Sequence, residues 1–130
     1  MNLRAYLVVL LGSLVALAAA AVAPPRAAVA AGDEAALERG RYLVQQVGMC
    51  INCHGSGLKG AKLDFLAADL PAAHFAPRIA GLPHLTAAQA VTYMQTGLLP
   101  NATRSRPPMP QYRLHHDDAV AVVTYLKQLR

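Results

Sequence analysis

Apolar residues recur with helical spacing in three segments of this chain, the first of which is residues 33–47. Its apolar positions, spaced three or four residues apart on one face of a helix, are Ala36, Gly40, Leu43, Val44 and Val47. Asp33 is predicted to be the N-cap, because its carboxylate can accept hydrogen bonds from the first turn. Gly40 costs about 1 kcal/mol relative to alanine. A glycine on the apolar face therefore suggests the close approach of another element.

Two further segments are predicted to be helices. Residues 86–96 form the second, with Thr86 as its N-cap and Gly97 closing it. Residues 115–129 form the third. Its apolar positions recur every three or four residues and are Ala119, Val122, Val123, Leu126 and Leu129. The pattern predicts a small all-α domain.

The connections between these helices are long and contain several glycines and prolines. Residues 55–83 are predicted to be mostly loop, with one turn of helix around residues 64–70, and residues 98–110 form a second loop. Loops of this length are uncommon in a compact domain unless they pack against something. A large cofactor would supply such a surface.

The N-terminal segment has the pattern of an export signal. Arg4 precedes residues 5–23, which contain no charged side chain, and small residues follow up to an A-x-A site ending at Ala30. Residues 1–30 are therefore predicted to be a signal peptide, followed by a domain over residues 31–130. The apolar run is nearly long enough to span a bilayer, so an uncleaved membrane anchor is the alternative. Both readings place the domain in the periplasm.

Composition and charge narrow the possible functions. The chain has 130 residues, a formal net charge of +5, no tryptophan and 5% aromatic residues, so bulky groups for a core are few. A core partly built by a cofactor fits this shortage. No cluster of Lys and Arg suggests a nucleic-acid surface, so no nucleic-acid partner is expected.

The chemistry of the chain is concentrated in the motif C-I-N-C-H at residues 50–54. A disulfide between Cys50 and Cys53 would close too short a loop to stabilise the fold much. The C-x-x-C-H pattern is the signature of covalent haem attachment, with both thiols bonded to one haem and His54 bound to its iron. A zinc site needs four ligands, and a thioredoxin-like pair would need a βαβ pattern. The motif therefore predicts one covalent haem c.

With this motif the chain resembles the class I c-type cytochromes, most closely the small cytochrome subunits of bacterial periplasmic dehydrogenases. The stretches that carry the resemblance are residues 40–43, 50–55, 106–110 and 123–127. It implies a small cytochrome c fold, with three to five helices wrapped around one haem. It also implies that Gly40 and Tyr125 mark the crossing of the first and last helices.

The resemblance further implies that Met109 is the second axial ligand of the iron. Met109 lies between Pro108 and Pro110, which restrict the backbone on both sides. A histidine ligand or an open position is the alternative. The other candidate ligands are Met49, Met94, His74, His84, His115 and His116.

Three more residues are expected at the haem site. The family pattern uses a proline carbonyl to accept the second ring N–H of the iron-bound histidine, and Pro77 is the candidate, with Pro71 as its rival. Arg78 and Tyr112 are candidates for hydrogen bonds to a haem propionate.

The function implied by the resemblance is electron transfer, without enzymatic catalysis. The expected partners are a dehydrogenase that donates electrons and an oxidase or cytochrome that accepts them. Association with the membrane through residues 5–23 is expected if they are not cleaved. A haem-based sensor or catalyst, with an open or histidine-ligated iron, is the competing hypothesis.

Overall fold

A computed structural model describes the backbone of residues 26–130 and the side chains of residues 33–130. A compact unit spans Gly32–Arg130. Of a separate unit, Met1–Ala31, only the helical backbone from residue 26 onward is described. The predicted signal peptide or anchor, residues 1–30, therefore lies almost entirely outside the described residues. Among those that are described, no helix has the length and hydropathy needed to cross a membrane.

Residues 26–130 contain four α-helices and little strand, so the predicted all-α class is confirmed. The helices are α1 (Arg26–Tyr42), α2 (Ile51–His54), α3 (Ala87–Thr96) and α4 (His116–Gln128). A π-helical turn (Leu43–Val47) directly continues α1, and a 3₁₀ turn (Ser56–Leu58) follows α2. Two short strands, β1 (Ala61–Lys62) and β2 (Phe75–Ala76), pair antiparallel.

Helix α1 differs from its prediction at both ends. It begins at Arg26, so Asp33 lies inside the helix and the predicted N-cap is wrong. Residues 27–31 are four alanines and one valine, which continue a helix at little cost. At the other end Val47 is 55% exposed, because the π-helical turn adds a residue per turn and rotates it away from the buried face.

Helices α1 and α4 cross at Gly40, as the resemblance implied. A Cβ atom at Gly40 would lie only 2.6 Å from the carbonyl carbon of Ala121 and 2.9 Å from the Cβ of Tyr125. Only glycine permits backbone contact this close. An ion pair also joins the two helices: Arg39 donates two hydrogen bonds to the Asp118 carboxylate, at 2.8 and 3.1 Å, and lowers the pKa of that carboxyl.

The predicted ends of α3 are confirmed. Thr86 Oγ1 accepts a hydrogen bond from the backbone of Gln89 at 3.2 Å, and the Gln89 side chain accepts one from the Thr86 backbone at 3.0 Å. Gly97 ends the helix at φ +66°. Helix α4 starts after its N-cap, His115, within one residue of the prediction.

The helix turn predicted around residues 64–70 is wrong. Leu66 and Leu70 each donate a backbone hydrogen bond only three residues back, which makes two separate turns. Leu63 instead donates to the carbonyl of His74 at 2.9 Å, just beyond the pairing of β1 with β2. A hydrogen bond between the two sides of the strand pair therefore takes the place of a helical turn in this loop.

Candidate functional site

A cavity of about 540 Å³ lies within the compact unit, a volume in the range of small-molecule and cofactor sites. Its lining is mostly apolar and includes Leu63, Ile79, Leu82, Leu85 and Leu99. Cys53, His54 and Met109 also line it. Residues from α2, α3 and both long loops contribute to this wall, so the loops predicted to need a packing partner surround the cavity.

His54 is the last residue of α2 and is 5% exposed. Its Nδ1 lies 2.7 Å from the carbonyl oxygen of Pro77. Because a carbonyl only accepts, Nδ1 carries the hydrogen, and the neutral ring then has an unprotonated Nε2. This hydrogen bond uses Nδ1 and does not involve Nε2. The imidazole is thus oriented through Pro77, not Pro71, with one nitrogen available as a ligand.

The two cysteines face different cavities. Cys53 lines the large one, whereas Cys50 lines a second cavity of about 30 Å³ together with Val44, Met94 and Tyr112. Burial raises the pKa of the Cys50 thiol. No disulfide joins Cys50 to Cys53.

Met109 reaches the large cavity from the proline-rich loop. Its backbone N–H donates to the carbonyl of Arg106 at 3.3 Å, and the carbonyl of Pro107 accepts a hydrogen bond from Ala73 at 2.7 Å. The second contact ties this loop to the one that precedes β2. The fold thereby brings together two side chains, His54 and Met109, that are 55 residues apart.

Of the other candidate ligands, only His84 lines the large cavity. Met94 is buried in the core beside the smaller cavity, and Met49 is 53% exposed. His74 has its Nε2 against the Leu70 carbonyl at 3.1 Å, on the surface. His115 and His116 are exposed at the start of α4.

Arg78 lines the large cavity and donates from Nε to the carbonyl of Ala80 at 2.9 Å. Tyr112 lies beside the smaller cavity instead, where its hydroxyl donates to the carbonyl of Gly48 at 3.2 Å. Burial, with a smaller contribution from the Cys50 thiol, raises the pKa of Tyr112. The structure thus brings Arg78, but not Tyr112, to the cavity that His54 and Met109 share.

Sequence reasoning missed several polar residues of the cavity. Tyr93 from α3 and Ser105 from the second loop both line it, and their hydroxyl oxygens lie 2.7 Å apart. No pattern along the chain marks this pair. Arg106 also lines the cavity, and its place directly before Pro-Pro-Met could have identified it.

A family model described as cytochrome c matches residues 37–130, more than half of the chain. Comparisons with curated proteins and with solved structures found no match. The matched region contains the C-x-x-C-H motif, Pro77 and Met109.

Proposed function

Because this chain belongs to the cytochrome c family, we propose that it carries electrons in the periplasm and that His54 and Met109 would hold the iron of its haem. The observation that supports this most directly is that both side chains line one largely apolar cavity. Haem-based electron transfer itself follows from membership of the family.

The residues present fit a covalently bound haem c. Two thiols three positions apart precede a histidine whose Nδ1 is held by Pro77, which leaves Nε2 as the metal-binding nitrogen. Cys53 and His54 line a large, mostly apolar cavity, and Cys50 lines the smaller one. When bound, the haem supplies one-electron chemistry through its iron.

Pro77 and Met109 contribute to the proposed site in different ways. Pro77 orients the His54 ring and, by accepting its N–H, makes the ligand more basic. Met109 contributes a thioether, which together with imidazole raises the reduction potential of a haem. With both ligand positions held by protein side chains, small molecules would be kept from the metal. This combination favours a carrier over a catalyst.

A second candidate function rests on one observation, the presence of His84 on the wall of the same cavity. If His84 or nothing occupied the sixth position, the protein would be a haem-based sensor or catalyst. Met109 is favoured because the flanking prolines limit the backbone entropy lost when the loop holds this residue in place. His84, in contrast, is exposed.

The oxidised wild-type holoprotein is expected to have the weak far-red absorption band of a sulfur–iron bond, and the His84→Ala variant is expected to keep it. Visible spectroscopy of the two proteins checks this. A wild type without the band would contradict ligation by Met109. In that case carbon monoxide binding to the reduced protein would indicate an open site.

Periplasmic location is the part of the proposal that rests on the N-terminal segment. Residues 5–23 are uncharged and precede an A-x-A site, and covalent haem attachment takes place on the same side of the membrane. The proposed partners are a dehydrogenase as electron donor and an oxidase or a second cytochrome as acceptor. A membrane-held form of the carrier would result if the segment were retained.

The mature protein is expected to begin near Ala31. Mass spectrometry of holoprotein isolated from the periplasmic fraction gives the new N terminus directly. A chain that begins near Met1 and is extracted only by detergent would instead indicate a retained anchor, with residues 5–23 in the bilayer.

A further inference from the structure

The segment from Ser105 to Gln111, which we call the Met109 loop, is closed on itself by a side chain. Nε2 of Gln111 donates to the carbonyl of Ser105 at 3.2 Å, and Oε1 of Gln111 lies 3.4 Å from Nη1 of Arg104. Inside the loop, the backbone N–H of Met109 donates to the carbonyl of Arg106 at 3.3 Å. Three of its seven residues are prolines, whose fixed φ angles stiffen the backbone further. The Met109 loop therefore behaves as one stiff unit.

Hydrogen bonds hold the Met109 loop at both ends, in addition to the backbone contact of its middle with the loop before β2. At its start, Oγ of Ser105 lies 2.7 Å from the hydroxyl oxygen of Tyr93 in α3. At its end, Tyr112 follows the loop directly, and the Tyr112 hydroxyl donates to the carbonyl of Gly48 at 3.2 Å. The second contact joins the loop to the backbone just before α2, 64 residues away along the chain.

The carbonyl of Gly48 is a fixed point beside the attachment motif. The N–H of Gly48 donates to the carbonyl of Leu43 at 2.7 Å, and the N–H of Cys50 donates to the carbonyl of Val44 at 3.0 Å. A Cβ atom at Gly48 would lie 3.2 Å from the Tyr112 hydroxyl oxygen and 3.3 Å from Sγ of Cys50. The Tyr112 hydroxyl thus lies against the same stretch of backbone as one of the two thiols of the motif.

We propose that Tyr112 is a positioning residue, whose hydroxyl anchors the Met109 loop to the backbone before Cys50 and so holds Met109 in place as a ligand. Tyr112 lines the smaller cavity and not the large one, so it acts through Met109. Movement of the loop away from the cavity would break the bond to Gly48. The bond therefore stabilises the closed loop over an open one by its net free energy. This inference rests on the proposed function, in which Met109 is a ligand.

A purely structural role for Tyr112 is the alternative, because its ring also packs against the core. In that role the hydroxyl would contribute to the free energy of unfolding but not to the exchange of ligands in the folded protein. The place of Tyr112 in the chain favours an anchor. It lies three residues after Met109, and Pro110 stiffens the backbone between them.

The test is a titration of the oxidised holoprotein with imidazole, a small ligand that has to displace Met109 to reach the iron. Loss of the far-red sulfur–iron band follows the displacement and gives an apparent dissociation constant. The Tyr112→Phe variant keeps the ring and removes only the hydroxyl. Its apparent dissociation constant is expected to fall about threefold to tenfold, because the open loop becomes more populated. The band should still be present before imidazole is added.

Tyr125→Phe is the matched control, because it also removes a hydroxyl from a half-buried tyrosine. The Tyr125 hydroxyl accepts a hydrogen bond from Nε2 of Gln45 at 2.7 Å, between α4 and the π-helical turn, and Tyr125 lines neither cavity. The apparent dissociation constant of this variant should change less than about twofold.

Equal shifts in the two variants would mean that loss of a hydroxyl acts through overall stability, and they would overturn the proposal. So would a change below about twofold in Tyr112→Phe. If the wild type has the far-red band and Tyr112→Phe leaves the imidazole affinity unchanged, this inference alone fails. A wild type without the band would overturn ligation by Met109 and this inference together.

Discussion

The Met109→Leu variant is expected to lose the far-red sulfur–iron band, and its reduction potential should fall by on the order of 0.1 V or more. Leucine matches the volume of methionine, and such swaps typically cost less than about 1.5 kcal/mol, so the fold should persist. The thioether, in contrast, is removed completely. Visible spectroscopy and a redox titration of the holoprotein measure the two effects.

Met94→Leu is the matched control, since it makes the same chemical change at a methionine that the structure places in the core, away from the large cavity. It should leave the band in place and shift the potential little. Persistence of the band in Met109→Leu would refute the proposed ligand. Loss of the band in Met94→Leu alone would assign the ligand to Met94 instead.

The Gly40→Val variant is expected to lose about 3 kcal/mol or more of its free energy of unfolding. Even the first atom of a side chain at Gly40 would lie 2.6 Å from the carbonyl carbon of Ala121. That neighbour is backbone inside α4, which cannot rotate away as a flexible side chain would. Helices α1 and α4 would have to separate. Chemical denaturation of the holoprotein, followed by far-ultraviolet circular dichroism, measures the loss.

Ala35→Val supplies the comparison, because it introduces the same side chain into the same helix at an exposed position. Its cost should be limited to helix propensity, about 0.7 kcal/mol or less. A loss below about 1 kcal/mol for Gly40→Val would mean that the helix crossing tolerates a side chain. The close packing at Gly40 would then have no role in stability.

Predictions from the sequence were best where the cause is local. A threonine followed three residues later by glutamine caps α3, and a glycine closes it, because these bonds join residues within one turn. The C-x-x-C-H motif is likewise a local pattern, and it identified the cofactor that the family match supports. The prediction of Asp33 as the N-cap was wrong because the alanine-rich residues before it also form helix, so that Asp33 lies inside the helix.

The sequence by itself determined the fold class, the three long helices and the attachment motif, since each depends on spacing within a few residues. Only the tertiary structure decided which distant groups meet. Pro77 rather than Pro71 holds His54, and of the seven candidate ligands only Met109 and His84 share its cavity. The tertiary structure also places Tyr112 at the smaller cavity and brings Arg104 and Arg113 close together at the end of α3. These pairings depend on how long loops fold back across the helices, and no short-range periodicity records that path.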